Sequence, residues 1–296
     1  MHSMKLICLV TLGGLAAGAS AGDPAPPPDS ITLIGVVRDF RDDHPDFQRK
    51  PKNAAGYGSF GHYMDIASEQ LDDDGNPAFM STGRKVTSEW TNASGQKIAP
   101  GLDTLGYIDT KHGDSPGDAE ASGDAVESAE TFAQWYRDVD GVNVRKALKL
   151  TLVRDPQTGS YVFDDTQDPT YSGLGGFFPI NGQLYGDYQD GKNFHFTFEL
   201  DTEFRYDAGT EQVFRFIGDD DVWVYIDGKR VIDLGGVHSK IDQVVELDRL
   251  NWLKDGETYS LKFFFAERHT TQSNFRIETN LLLRTVDVPL SSALHD

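Results

Sequence analysis

The stretch Phe216-Ile217-Gly218-Asp219-Asp220-Asp221-Val222-Trp223-Val224-Tyr225-Ile226-Asp227-Gly228 sets three consecutive carboxylates against an apolar strand that ends in a hairpin turn. Neighbouring ionised carboxylates repel and raise one another's pKa, so a cluster held near buried backbone calls for a cation or for hydrogen-bond donors. All-oxygen donors point to calcium, a hard ion that takes roughly 6–8 oxygens from carboxylates and backbone carbonyls. A solvated acidic turn is the alternative reading of the same residues. Asp227-Gly228 is a strong hairpin signal, because both central positions of a type I′ turn need positive φ.

On either side of this stretch the chain reads as strand. Phe194, Phe196, Phe198 and Leu200 alternate with His195, Thr197 and Glu199, and Phe275, Ile277, Thr279, Leu281 and Leu283 alternate with polar neighbours. The same periodicity places Phe194, Phe196, Phe214, Phe216, Tyr225, Phe263, Phe265 and Phe275 in the core. Ile31 to Val37 reads as a first strand, whereas residues 41–125, rich in Gly, Asp and Ser, read as long loops with short strands. Within them Asp72-Asp73-Asp74-Gly75-Asn76-Pro77 resembles an EF-hand loop only superficially, since its glycine comes one place early and Gly83 stands where the closing Glu belongs. One helix is expected after Asp124, capped by the Asp124–Glu127 pair, with Val126, Ala129, Phe132, Ala133, Tyr136 and Val139 on its buried face and Trp135 in the core. Many short strands and one amphipathic helix predict a mainly β protein, a β-sandwich forming a single domain over residues 31–284.

The two ends bound the context. Lys5, the apolar run Leu6 to Leu15 and Ala19-Ser20-Ala21 predict a secretory signal peptide over residues 1–21, cleaved after Ala21. That run falls short of the roughly 18–20 residues of a membrane span. A Pro-rich linker follows at 22–30, and residues 285–296 read as a tail with no visible anchor. Cys8 is the single cysteine, so the exported chain is expected to fold without disulfides. A formal net charge of −20 argues against nucleic acid and anionic membranes as partners, and is compatible with divalent cations and neutral glycans.

The acidic stretch stands with Asp227-Gly228-Lys229-Arg230-Val231-Ile232-Asp233-Leu234-Gly235-Gly236-Val237-His238 and Phe264-Phe265-Ala266-Glu267-Arg268-His269-Thr270-Thr271-Gln272-Ser273-Asn274-Phe275. With Val37-Arg38-Asp39-Phe40, Gln134-Trp135-Tyr136-Arg137-Asp138-Val139 and Asn193 to Leu200, this order of segments resembles the fibro-slime domain, a branch of the PA14 superfamily of β-sandwich binding modules. The resemblance runs from about Ile31 to Leu283. It implies a first calcium loop with Asp219 and Asp220 joined by a cis peptide, and a second loop from Glu267 to Asn274 that supplies further oxygens and selects the ligand. Asp221 is either a third acidic ligand or a solvent-facing side chain. Glu267 is the first candidate for a side-chain ligand from the second loop and Asn274 the alternative; His238, Arg268 and His269 are candidate ligand contacts. The Glu267-Arg268-His269 opening departs from the usual lectin loop, so sugar-binding residues do not transfer directly.

The expected function is a secreted, calcium-dependent module that binds an extracellular glycan or matrix component without catalysis. Two other readings stay open: a structural matrix protein stiffened by calcium, and a zinc hydrolase built on His238, His269, Asp233 and Glu267. The latter set lacks a recognised zinc spacing, and the sequence has no Gly-x-Ser-x-Gly elbow.

Overall fold

The computed structural model of the chain describes residues 26–48, 60–121 and 123–286. The expected signal peptide and most of the C-terminal tail lie outside the described residues. The strands run in the order β1 (Ser30–Phe40), β2 (Tyr63–Met64), β3 (Ala67–Leu71), β4 (Pro77–Phe79), β5 (Arg84–Ser88), β6 (Asp118–Glu120), β7 (Asn143–Arg154) and β8 (Tyr161–Asp164). They continue as β9 (Phe196–Arg205), β10 (Val213–Gly218), β11 (Asp221–Ile226), β12 (Lys229–Leu234), β13 (Ile241–Glu246), β14 (Thr258–Glu267), β15 (Phe275–Thr279) and β16 (Arg284–Thr285).

Thirteen strands form one sheet in the order β13-β10-β15-β8-β7-β1-β9-β14-β11-β12-β3-β4, with β16 added against β9; β2, β5 and β6 form a small second sheet. The pairings between these strands are antiparallel, so short hairpins can make many of the connections. The large sheet curls until β10 and β15 lie over β9, β14 and β11. Phe216 and Phe263, which sit on strands that share no ladder, come within 5.6 Å ring to ring, and Phe275 lies 5.5 Å from Phe263 and 5.1 Å from Phe265. Phe177, from the loop after β8, stacks on Phe275 at 4.3 Å and closes that end of the core.

Alternation decides which side chains fill this interior. Phe196, Phe198, Phe214, Phe216, Phe263, Phe265 and Phe275 are buried in the main core, as expected from their period of two. Tyr225 is buried as well but faces the other way. It joins Trp223, Phe264 and Ala266 on the back of the sheet, where they meet Phe40, Phe47, Tyr63, Phe132, Trp135 and Tyr136. The long N-terminal loops therefore do not build a core of their own; they bury the back face of β11 and β14.

The expected helix shrinks to one turn, α1 (Ala129–Phe132). Ser128 rather than Asp124 caps it, with Thr131 completing the capping box. The Asn143 side chain then takes the carbonyls of Gln134 and Arg137 at 3.0 and 2.8 Å, so these acceptors do not require a continued helix. Asp227 (φ 52°) and Gly228 (φ 74°) form the expected turn between β11 and β12. At Asp72 one carboxylate oxygen receives the amides of Asp74 and Asn76 and the other pairs with Arg137, which makes the Asp72–Pro77 segment a hairpin turn rather than an ion loop.

Phe275→Ala removes the ring on which the main core converges. It should cost about 3–5 kcal/mol and lower the melting temperature sharply; a melt within experimental error of wild type would contradict this packing.

Candidate functional site

Three connections cross between the two layers at the same end of the curled sheet. Gly218 to Asp221 leads from β10 to β11, Leu234 to Ile241 from β12 to β13, and Glu267 to Phe275 from β14 to β15. The first and third run side by side. Gly218 pairs with Phe275 and Asp221 with Ala266, which leaves Asp219 and Asp220 against the start and end of the 268–274 loop. Glycine is required at 218, because a Cβ there would sit 2.3 Å from the Asn274 carbonyl oxygen. An open cleft of about 260 Å³ lies between the three crossings, lined by Phe60, Asp219, Asp220, His238, His269 and Thr270 among others.

Four carboxylates meet at this place. Asp219 and Asp220 are each 4% exposed, and Asp221 and Glu267 are fully buried. Asp221 is held by Arg268 in a two-pronged pair, Nε to Oδ2 at 2.5 Å and Nη2 to Oδ1 at 3.1 Å, while the Gly236 amide donates to Oδ1 at 2.6 Å. Asp221 therefore neither faces solvent nor offers a free oxygen to a metal, which corrects both expectations for it. Arg268 is likewise not a ligand contact: it is buried, lies 4.9 Å over the Trp135 ring, and donates through Nη1 to the Asp46 and Ala125 carbonyls at 3.2 and 3.0 Å.

Among the described residues, the other three acids receive only neutral donors. Asp219 accepts from the Asn274 amide at 2.5 Å and from Asn274 Nδ2 at 2.6 Å. Asn274 thus braces Asp219 through its backbone and side-chain N–H groups. Asp220 accepts from the Arg268 amide at 3.0 Å, and Glu267 Oε1 receives a long contact of 3.4 Å from the His269 amide. Glu267 Oε2 is buried with no hydrogen-bond partner. Burial, reinforced by Asp219 and Asp221, pushes the Asp220 carboxyl well above its ordinary range. Burial together with Asp220 and Asp219 does the same to Glu267, and burial raises Asp219.

Each of the site's two histidines turns Nδ1 to the backbone carbonyl of the next residue. His238 Nδ1 meets the Ser239 carbonyl at 3.0 Å, leaving Nε2 buried and without a partner. Burial, with His62 as a second cause, holds it down to about 3, so it is a neutral acceptor. His269 Nδ1 contacts the Thr270 carbonyl at 2.6 Å and Nε2 lies 3.3 Å from the Gln48 amide nitrogen. Asp233, the acid of the zinc reading, is spent on Arg230 (3.0 Å) and Trp223 Nε1 (3.0 Å), so the set His238, His269, Asp233 and Glu267 does not assemble. Among the described residues no three His, Cys, Asp or Glu side chains form a ready metal cage. The non-proline cis peptide lies at Thr270–Thr271 and not at Asp219–Asp220.

Oxygen donors with two buried acids at a cleft and an orphaned oxygen behind them fit a hard cation in donor chemistry. Backbone carbonyls of the loops would have to complete its shell, as calcium allows. Sequence reading missed Phe60 on the cleft wall and Asp46 behind Arg268. Both come from loops without periodicity, and the one local signal for Phe60 was its place in the glycine-rich, aromatic run from Gly56 to Tyr63.

Residues 158–289 match the PA14 domain family. The Dictyostelium discoideum proteins psiC, psiH and psiI are similar to the chain: psiC at 36% identity over 55% of this chain and 31% of that protein, psiH at 33% over 86% and 31%, and psiI at 41% over 48% and 19%. The chain spans under a third of the length of each of these relatives. Solved structures with partial likeness include the PA14 domain of the MpAFP antifreeze protein, at 13% identity and TM-score 0.24 over 36% of this chain and 60% of that chain. Another is the GH31 α-xylosidase of Xanthomonas citri, at 12% identity and TM-score 0.29 over 86% and 22%. The chain carries a PA14 domain, and its relatives are consistent with a fibro-slime protein of that superfamily.

The carboxylates set a sign for pH dependence. A group whose pKa is raised on folding binds more protons folded than unfolded, so its contribution to stability falls as pH rises from about 4 through the raised value. Asp220→Asn keeps an acceptor for the Arg268 amide and removes one charge. Without calcium it should melt higher than wild type at pH 7, with the gap closing toward pH 4. A variant that melts lower than wild type across that range would contradict the charge crowding.

Proposed function

We propose that the chain is an exported, calcium-dependent binding module for an extracellular glycan or another matrix component, and that it acts without catalysis. Membership of the PA14 family, whose domains are carbohydrate-binding and adhesin-like modules, supports the binding role. The calcium reading is carried by one observation: after Arg268 is committed to Asp221, three buried acids remain with no cation of their own among the described residues, and one oxygen of Glu267 has no hydrogen-bond partner there. Asp219 and Asp220 are the proposed ligands from the first loop and Glu267 the acid behind them. The 269–272 backbone is the source of the remaining oxygens. His238 and His269 line the same cleft and are the proposed contacts to the bound molecule. The signal-peptide pattern expected over residues 1–21 supports export, and no described helix is long and apolar enough to cross a membrane.

Calcium bound only to the folded state stabilises by mass action, by about 2.7 kcal/mol at a hundred times its dissociation constant. Wild type should therefore melt higher in calcium than in chelator, and Asp220→Ala should lose that difference. A glycan array read in calcium and in chelator tests the ligand. Binding in calcium alone supports the module; calcium-dependent melting without any glycan binding would turn the reading to a structural matrix protein, and calcium-independent melting would remove the metal.

A further inference from the structure

The chain has 18 phenylalanines, all within the described residues, and Phe60 alone among them is an exposed large apolar side chain, at 47%. It stands on the wall of the cleft that Asp219 and Asp220 line. Its place is fixed from both sides. The Phe60 carbonyl accepts from Lys85 Nζ at 3.2 Å, and the next amide, Gly61, donates to the Val237 carbonyl in the β12–β13 crossing at 2.8 Å. The ring meets His269 in a T-shaped contact at 5.0 Å and 64°, and nearly half of the residue stays exposed on the cleft wall.

A singly exposed apolar side chain is ordinary, but Phe60 stands on a cleft wall beside two buried acids, so a molecule that covers its ring there has also to suit those acids. A pyranose meets both demands. Its hydroxyls are oxygen ligands for a hard cation, and its ring C–H groups, polarised by the neighbouring oxygens, match the negative face of a phenyl ring. Phosphorylated or otherwise anionic ligands suit the wall less well, because the acids repel them unless the ion is bound.

We infer that Phe60 is the stacking platform of the cleft, and that the ligand is a pyranose held with its hydroxyls toward the Asp219–Asp220 ion and one C–H face on Phe60. The inference rests on the calcium-dependent glycan reading above and adds to it the residue that selects the ligand. Phe60 belongs to the N-terminal loops, outside residues 158–289 that match the PA14 family, so the ligand-choosing wall is supplied from beyond that region.

The test uses the whole chain in saturating calcium, with the methyl glycosides of galactose, glucose and mannose as probes and saturation-transfer NMR as readout. At least one probe should bind wild type, with the strongest transfer on its ring C–H protons. Phe60→Trp should keep that binding. Phe60→Ala and Phe60→Leu, which lack a π face, should weaken it at least tenfold, with the calcium shift in melting temperature intact in all three variants. Undiminished binding by Phe60→Ala with that shift preserved would overturn the platform and leave the calcium reading standing. Loss of the calcium shift in Phe60→Ala would make Phe60 a structural residue and also overturn it. If no probe binds wild type that loads calcium, the pyranose assignment falls; if wild type shows no calcium shift, it falls together with the proposed function.

Discussion

The pair between Arg268 and Asp221 is the interaction on which the rest of the molecule depends. Taking two opposite charges fully out of water costs several kcal/mol per ion, and the cost is recovered only where geometry is good and the remaining donors are satisfied. Both conditions hold. The guanidinium grips both carboxylate oxygens, its other amino group takes the carbonyls of Asp46 and Ala125, and the Gly236 amide adds a donor to Asp221. Through these contacts one arginine ties together the two layer crossings and the N-terminal loops. Asp46 extends the reach, accepting from Trp135 Nε1 at 3.0 Å and from the Glu127 amide at 2.6 Å.

That same commitment explains the charge left over. Arg268 would otherwise neutralise Asp220 and Glu267, its neighbours in the chain and in space. Engaged with Asp221, it offers Asp220 only its backbone amide. Among the described residues three acids then share a pocket with neutral donors, and burial raises the pKa of each. On the calcium reading proposed above, a divalent ion would take the place of protons on these acids, and the charge crowding of the ion-free state would favour its binding.

Much of the fold is legible in the sequence because a strand's period of two writes the interior directly into alternate residues. Phe196, Phe198, Phe216, Phe263 and Phe275 follow it, and the Asp227–Gly228 turn announces itself through positive φ. The helix is over-read for a physical reason: Val126, Phe132 and Tyr136 are buried at roughly helical spacing, yet successive turns bury them, and the Asn143 amide takes carbonyls a helix would have used. In the site, Asp219, Asp220 and Glu267 come together where the motifs put them. Asp221 and Arg268 do not serve as expected, because each is committed to the other. No local pattern distinguishes a carboxylate that will meet a metal from one that will meet an arginine 47 residues away. Phe60 is illegible for a related reason, since only the folded path of the N-terminal loops brings it to the cleft.

The most direct measurement is a crystal structure of the chain grown with calcium, scored by anomalous density in the cleft between residues 218–221 and 267–274. The account predicts an ion with oxygens of Asp219 and Asp220 at about 2.3–2.6 Å, loop carbonyls completing its shell, and the Arg268–Asp221 pair unchanged. A cleft without density at millimolar calcium, or an ion that displaces Arg268 from Asp221, would contradict it.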